Sequence, residues 1–278
     1  MTSPDPLAPA ALTPIGVFHG HAKYPYDVPR QGVLAEDNLG WLELFPGHHF
    51  DMALEGLKGF SRLWLLFLFH QNTGHWHPKV QPPRHTRQKV GVFATRSPYR
   101  PNPLGLSCVE LLDIHDHTLL VRGHDLLDGT PILDIKPYLP YADAFPQASA
   151  GWTREQTLPE YTVALSPSLE EKLRWLADHG LACLPQFLRE QLGEAPDDPK
   201  RHRLQKTSQG TWALAYRTWR IPFLLQEDKQ QVLALDLLSA YSPKELLPNT
   251  PDPYGDKDLH RAFLQHFSPA GKEILGAR

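Results

Sequence analysis

The chain has 278 residues, 41% hydrophobic and 21% charged, with a formal net charge of −3 and a pI near 6.6. That length buries a real core in one large or two smaller domains, and the composition excludes wholesale disorder and a uniformly basic coat. No secretory signal opens the chain, the longest apolar run (63–69) is too short to span a bilayer, and Cys108 and Cys183 make neither a disulfide framework nor a zinc site, so a soluble cytoplasmic protein is expected.

Residues 1–12 read as a flexible Pro/Ala leader. A first strand is expected at 15–18, then a Pro-rich connection through Pro25, Pro29 and Gln31, a second strand at 41–45 and a helix over 50–57 ended by Gly56 and Gly59. Residues 63–70 form an apolar, aromatic strand that opens onto His70 and Gln71. Further strands are expected at 91–94, 107–112, 118–121 and 131–135. Short strands with little helix between them favour a barrel or sandwich over a doubly wound sheet, and the usual glycine-rich nucleotide cradles are absent.

Composition shifts over 143–159, which divides a first domain, 13–150, from a second, 151–241. In the second, a helix is expected over 169–178 with Ser168 as N-cap, another over 184–192, and antiparallel strands at 212–216, 219–224 and 232–237, an α+β set. Residues 242–278 read as a polar tail with a turn cluster at 248–255 and one late helix.

Charge distribution carries the first functional signal. No acidic residue lies between Glu55 and Glu110, while Lys58, Arg62, Lys79, Arg84, Arg87, Lys89, Arg96 and Arg100 all fall there, interleaved with Trp76 and four histidines, His70, His75, His77 and His85. Basic residues among aromatics suit single-stranded or looped RNA. The stretch ends in Arg96-Ser-Pro-Tyr-Arg-Pro-Asn-Pro103, a loop stiffened by three prolines that carries two arginines suited to anions. The paired histidines lack a nearby carboxylate partner and read as polar loop residues, so no metal is expected. Residues 122–141 hold Asp125, Asp128 and Asp134 with Lys136 and Tyr138 around an Asp-Gly turn. Asp134 and Lys136 share one strand face.

These blocks resemble the TsaA-like, or TrmO, family of S-adenosylmethionine-dependent tRNA methyltransferases. Gly-Val-Phe-Ala-Thr-Arg-Ser-Pro-Tyr-Arg-Pro-Asn-Pro-Leu-Gly-Leu-Ser (91–107) is similar to that family's central signature. Ile15-Gly-Val, Val28-Pro-Arg-Gln, Gly56-Leu-Lys-Gly-Phe-Ser-Arg-Leu-Trp, Leu68-Phe-His-Gln, Asp125-Leu-Leu-Asp-Gly-Thr-Pro and Asp134-Ile-Lys-Pro-Tyr-Leu-Pro-Tyr match in order.

The resemblance implies a mainly β protein whose N-terminal single β-barrel, not a Rossmann-like fold, holds S-adenosylmethionine, with a smaller α+β C-terminal domain that helps hold tRNA. It further implies a homodimer that methylates N6 of threonylcarbamoyladenosine at position 37, beside the anticodon of a threonine tRNA. The cofactor shell it implies is Pro29, Arg30, Gln31, His70, Gln71, Arg96, Leu106, Arg122, Gly123, His124 and Asp125. By chemical type, Asp134 and Tyr138 are candidates for removing the N6 proton and Lys136 for holding an anion. Arg84, Arg87, Lys89, Arg100, Arg201 and Arg203 are candidate RNA contacts, Arg96 being assigned to the cofactor and Arg100 left to face RNA or a partner subunit. Two other readings stay open: a non-catalytic barrel that binds RNA or an anionic ligand, and a methyltransferase acting on another small substrate.

Overall fold

The computed structural model describes residues 11–25, 27–29, 31–34, 38–72, 76–82, 89–154, 161–193, 196–198, 203–206 and 211–267. The chain divides into two compact units, residues 1–156 and 157–278.

The first unit is built on alternation. Strands β1 (Gly16–His19) and β2 (Leu39–Leu44) bury every second residue. A short helix α1 (Phe50–Ala53) and a 3-10 turn (Leu57–Gly59) lead to β3 (Arg62–Leu68), which again alternates. A two-stranded ribbon, β4 (Lys79–Val80) with β5 (Val90–Gly91), precedes the long β6 (Leu104–His115), β7 (Thr118–Arg122), β8 (Thr130–Pro137) and a helical turn α2 (Pro140–Asp143). Six strands close antiparallel in the order β1-β2-β7-β6-β3-β8, with β8 returning to β1. Period-two alternation sends Phe18, Leu42, Leu63, Leu65, Val109, Leu119, Val121 and Ile132 inside, each at 0% exposure, so side chains fill the barrel. Each such burial contributes about 1.5–3 kcal/mol.

In the second unit, β9 (Thr162–Leu165) leads into α3 (Pro167–Asp178) and α4 (Leu184–Leu192), which bury leucine faces. A sheet follows from β10 (Leu204–Lys206), β11 (Trp212–Tyr216), β12 (Trp219–Gln226) and β13 (Gln231–Ala234), with β9 parallel to β13 at one edge and β14 (Leu238–Ser239) beside β12. Helix α5 (Lys257–Phe267) buries Lys257, His260 and Phe263. The His260 ring stacks on Trp219 at 3.7 Å, so helix α5 packs into this unit instead of trailing from it as a tail. No described helix is long and apolar enough to cross a membrane.

Four local expectations are corrected. Of 91–94 only Gly91 is strand. Val92–Ala94 is a 3-10 turn, because Val92 turns inward at 1% exposure and its carbonyl accepts from Thr95 N–H at 3.1 Å. The helix over 50–57 stops at Ala53, and Gly56 takes φ +81 to turn the chain. Strand β6 begins at Leu104, directly after Pro103, because its pairing with β3 runs out to Leu68. The cap of α3 is Ser166, whose Oγ accepts from Leu169 N–H at 3.1 Å, with Pro167 at the first helical position.

Two stability measurements check this account. In urea unfolding, Leu65→Ala is expected to cost about 3 kcal/mol by leaving a cavity in the barrel. Ser166→Ala is expected to cost about 1 kcal/mol, with Ser168→Ala near neutral.

Candidate active site

A cleft of about 580 Å³ opens at one end of the barrel. One wall is the end of β3 and the segment just beyond it: Phe67, Leu68, Phe69, His70, Gln71 and Asn72. The facing wall is the proline-stiffened loop with the start of β6, and Pro25, Val28, Pro29 and Gln31 contribute a third side. Leu126, Leu127 and Thr130 continue the lining from Asp125.

Hydrogen bonds to two proline carbonyls tie the first two walls together. Phe69 N–H donates to Pro103 O at 2.8 Å, and the Asn72 side-chain amide donates to Pro98 O. With φ fixed at its prolines, this loop needs little further ordering to receive a ligand. Arg96 donates from Nη1 to Gln31 Oε1 at 2.6 Å, joining the loop to the third side.

The recessed ionisable group is Asp125. Ser107, only 6% exposed, donates its hydroxyl to Asp125 Oδ1. Burial pushes the Asp125 carboxyl above its ordinary range, while the Ser107 hydroxyl, the Gly32 N–H and the Arg96 charge pull the other way. Behind it lies His124, at 0% exposure. Its Nε2 donates to Leu39 O at 3.3 Å, and its Nδ1 accepts from Leu126 N–H at 3.3 Å, which specifies the neutral Nε2–H tautomer. Burial holds its pKa down at about 4. Asn38 completes the latch: its amide donates to His124 O at 2.9 Å, and its own carbonyl accepts from Gly123 N–H at 3.0 Å.

The expected site residues do not all gather in one place. Pro29, Gln31, His70, Gln71, Arg96, Leu106 and Asp125 line one cleft. Gly123 and His124 stand behind it as supports, and Arg122 points elsewhere: it makes a fork to Glu110, its cross-strand neighbour, at 2.9–3.1 Å. Arg30, Arg84, Arg87 and Arg201 lie outside the described residues.

Asp134, Lys136 and Tyr138 are not in the lining. Asp134 and Lys136 pair with each other at 2.8 Å, opposite Leu66 and Trp64 in the β3–β8 register, and Tyr138 packs against Trp64 at 5.8 Å. The two do share a strand face, as their spacing requires, and they pair with each other outside the lining. Arg100 does line the cleft, and its Nη1 donates to Val92 O and Thr95 O at 3.2 and 2.8 Å, which braces the loop. Lys89 is exposed and outside the lining, and Arg203, in the second unit, lies over the Phe187 ring at 5.5 Å.

Sequence reasoning missed Ser107, Trp64, Phe67, Phe69, Asn72 and Tyr99 as cleft residues. The alternation of β3 marks Phe67 as inward-facing, but nothing local marks Ser107, which meets Asp125 only through barrel closure.

The family model for the tRNA-methyltransferase O N-terminal domain matches residues 17–144. The chain is 38% identical over 228 residues to the tRNA (adenine(37)-N6)-methyltransferase of Escherichia coli K12, covering 80% of this chain and 96% of that one. It is 43% identical over 187 residues to a putative S-adenosylmethionine-dependent methyltransferase of Pseudomonas aeruginosa, covering 66% of this chain and 76% of that one. The crystal structure of TrmO from Pseudomonas aeruginosa superposes with a TM-score of 0.59 at 32% identity, covering 84% of this chain and all of that one.

The His124 latch has a pH signature. Its pKa lies below the unfolded value, so its contribution to stability is present above about pH 6.5 and lost as pH falls toward about 4. The gap corresponds to about 3 kcal/mol. Ring-nitrogen NMR should find His124 neutral at pH 5.5, and His124→Gln should flatten the acid limb of the stability profile. A His124 that titrates near 6.5 would contradict the latch.

Proposed function

Because the chain belongs to the tRNA-methyltransferase O family, we propose that it methylates N6 of the threonylcarbamoyladenosine at position 37 of a threonine tRNA, as a cytoplasmic homodimer. It is an S-adenosylmethionine-dependent tRNA (adenine-N6)-methyltransferase built on a β-barrel. The observation that carries the reading is the barrel-end cleft in which Asp125 is recessed beside Arg96.

The cleft suits this cofactor's chemistry. The methionyl head is a zwitterion, and Arg96 and Asp125 put one cation and one anion into the same cleft. Phe67, Phe69 and Leu104 offer apolar surface for the adenosine, and the His70–Gln71 backbone and side chains offer polar partners at the rim. The bound cofactor supplies an electrophilic methyl carbon. The protein's residues have to align that carbon with N6 and keep water out, since a displacement of this kind depends mainly on approach geometry. The rigid proline loop fits that role, and Asp125 is the cleft carboxylate able to offset positive charge or accept a proton.

A purified-component assay tests the substrate: threonine tRNA with or without the threonylcarbamoyl group, S-adenosylmethionine, and mass spectrometry of the nucleosides. Methyl transfer is expected only to the modified tRNA, and equal transfer to unmodified adenosine would overturn the finer reading.

Asp125→Asn tests the site. A raised carboxyl pKa means that the folded state binds the proton more tightly, so this group's stability contribution is present at acid pH and is lost as pH rises through the folded pKa. At pH 7 the variant should therefore melt above the wild type without cofactor, yet bind S-adenosylmethionine at least tenfold more weakly in calorimetry.

A further inference from the structure

We propose that Phe93 and Tyr99, beside Arg100 at the edge of the cleft, form a stacking platform for the unpaired nucleotides that flank the target adenosine. This deepens the methyltransferase reading and rests on it.

Both rings are exposed, Phe93 at 76% and Tyr99 at 45%. Solvent-facing aromatics usually sit on pliable segments, whereas this turn is held at both ends. Val92 is buried beneath Phe93. Thr95 donates from both its N–H and its hydroxyl to Val92 O at 3.1 and 2.8 Å, and Trp152 Nε1 donates to Ala94 O at 2.8 Å. Arg100 clamps the same turn through Val92 O and Thr95 O, and its guanidinium lies 5.7 Å from the Phe93 ring centre. Tyr99 is fixed in turn by His77, whose N–H donates to Tyr99 O at 3.2 Å and whose ring packs 5.3 Å from the tyrosine ring.

Two further observations select the occupant. Tyr99 and Arg100 also line the cleft, so the platform is continuous with the site where the methyl group is transferred. Residues 76–82 and 89–100 contain no carboxylate, while Lys79, Lys89, Arg96 and Arg100 lie among them, which complements a polyanion. Single-stranded nucleotides present a π-face and a phosphate at each step, and aromatics interleaved with cations are the surface that binds them. Arg100 then has two tasks: it shapes the turn and lends its charge to the platform. A second copy of the chain is the alternative cover for these rings, and it makes different predictions.

The test compares Phe93→Ala, Phe93→Leu and Phe93→Trp in the full chain, by fluorescence anisotropy with the substrate tRNA, calorimetry with S-adenosylmethionine, and sedimentation. Because Phe93 is exposed, all three should fold, and circular dichroism checks this. Stacking is worth about 1–3 kcal/mol per base, roughly five- to 150-fold in affinity. The Ala and Leu variants are expected to bind tRNA about tenfold more weakly, Trp to match the wild type, and cofactor affinity and oligomeric state to hold throughout. Unchanged tRNA affinity in Phe93→Ala overturns the proposal. So does full rescue by Leu, which indicates simple apolar packing, or an altered oligomeric state, which indicates a subunit contact. Failure of the underlying reading shows elsewhere: the wild type itself would neither take up the cofactor nor methylate tRNA.

Discussion

The site depends on a backbone-to-backbone approach between Gly32 and Gly123. A Cβ on Gly32 would overlap the Gly123 carbonyl, and Gly123 itself adopts φ +72, a conformation that a side chain resists. Without side chains at this contact, the 31–34 segment can lie against the turn after β7. That places the Gly32 N–H on Asp125 and Gln31 within reach of Arg96. The cleft's third side is therefore set by main chain, and the neutral His124 and the Asn38 amide keep the turn in register from behind.

The barrel explains why a strained arrangement persists at its mouth. Six closed antiparallel strands with a filled interior leave no free edge and little room to relax, so a carboxylate can be recessed against its solvation preference. Asp125 is held by Ser107 from β6 and shaded by Arg96 from the loop, so elements distant in sequence share the cost of its position. The loop carries the converse lesson. Its prolines set its shape, Arg100 braces it from within, and its bonds to the end of β3 anchor it, leaving Arg96 and the exposed rings presented on a stiff support.

Sequence reasoning succeeded where the physics is local or periodic. Short apolar and aromatic runs placed β1, β2, β3, β7 and β8 closely, and the run from Gly91 to Ser107 marked one wall of the cleft. It failed where two plausible local answers compete. Ser166 and Ser168 both suit an N-cap, and Pro167 between them favours the earlier one because proline is accommodated in the first turn of a helix. Residues 91–94 have strand composition, but a buried Val92 and the Arg100 clamp curl them into a turn. Arg122 has the chemistry of a site residue, yet its cross-strand neighbour Glu110 takes up its donors.

By itself, the sequence determined the class of the fold, the acid-free stretch, the stiffness of the proline loop and the chemical types available for a zwitterionic, methyl-donating cofactor. Those properties reside in composition, period and local dihedral limits, which act over a few residues. Only the tertiary structure decided which of these groups share a space. Ser107 meets Asp125, Asp134 pairs with Lys136 outside the lining, and Arg100 braces the loop through Nη1. These outcomes depend on strand register and on which face closes inward, and register is settled by the barrel as a whole.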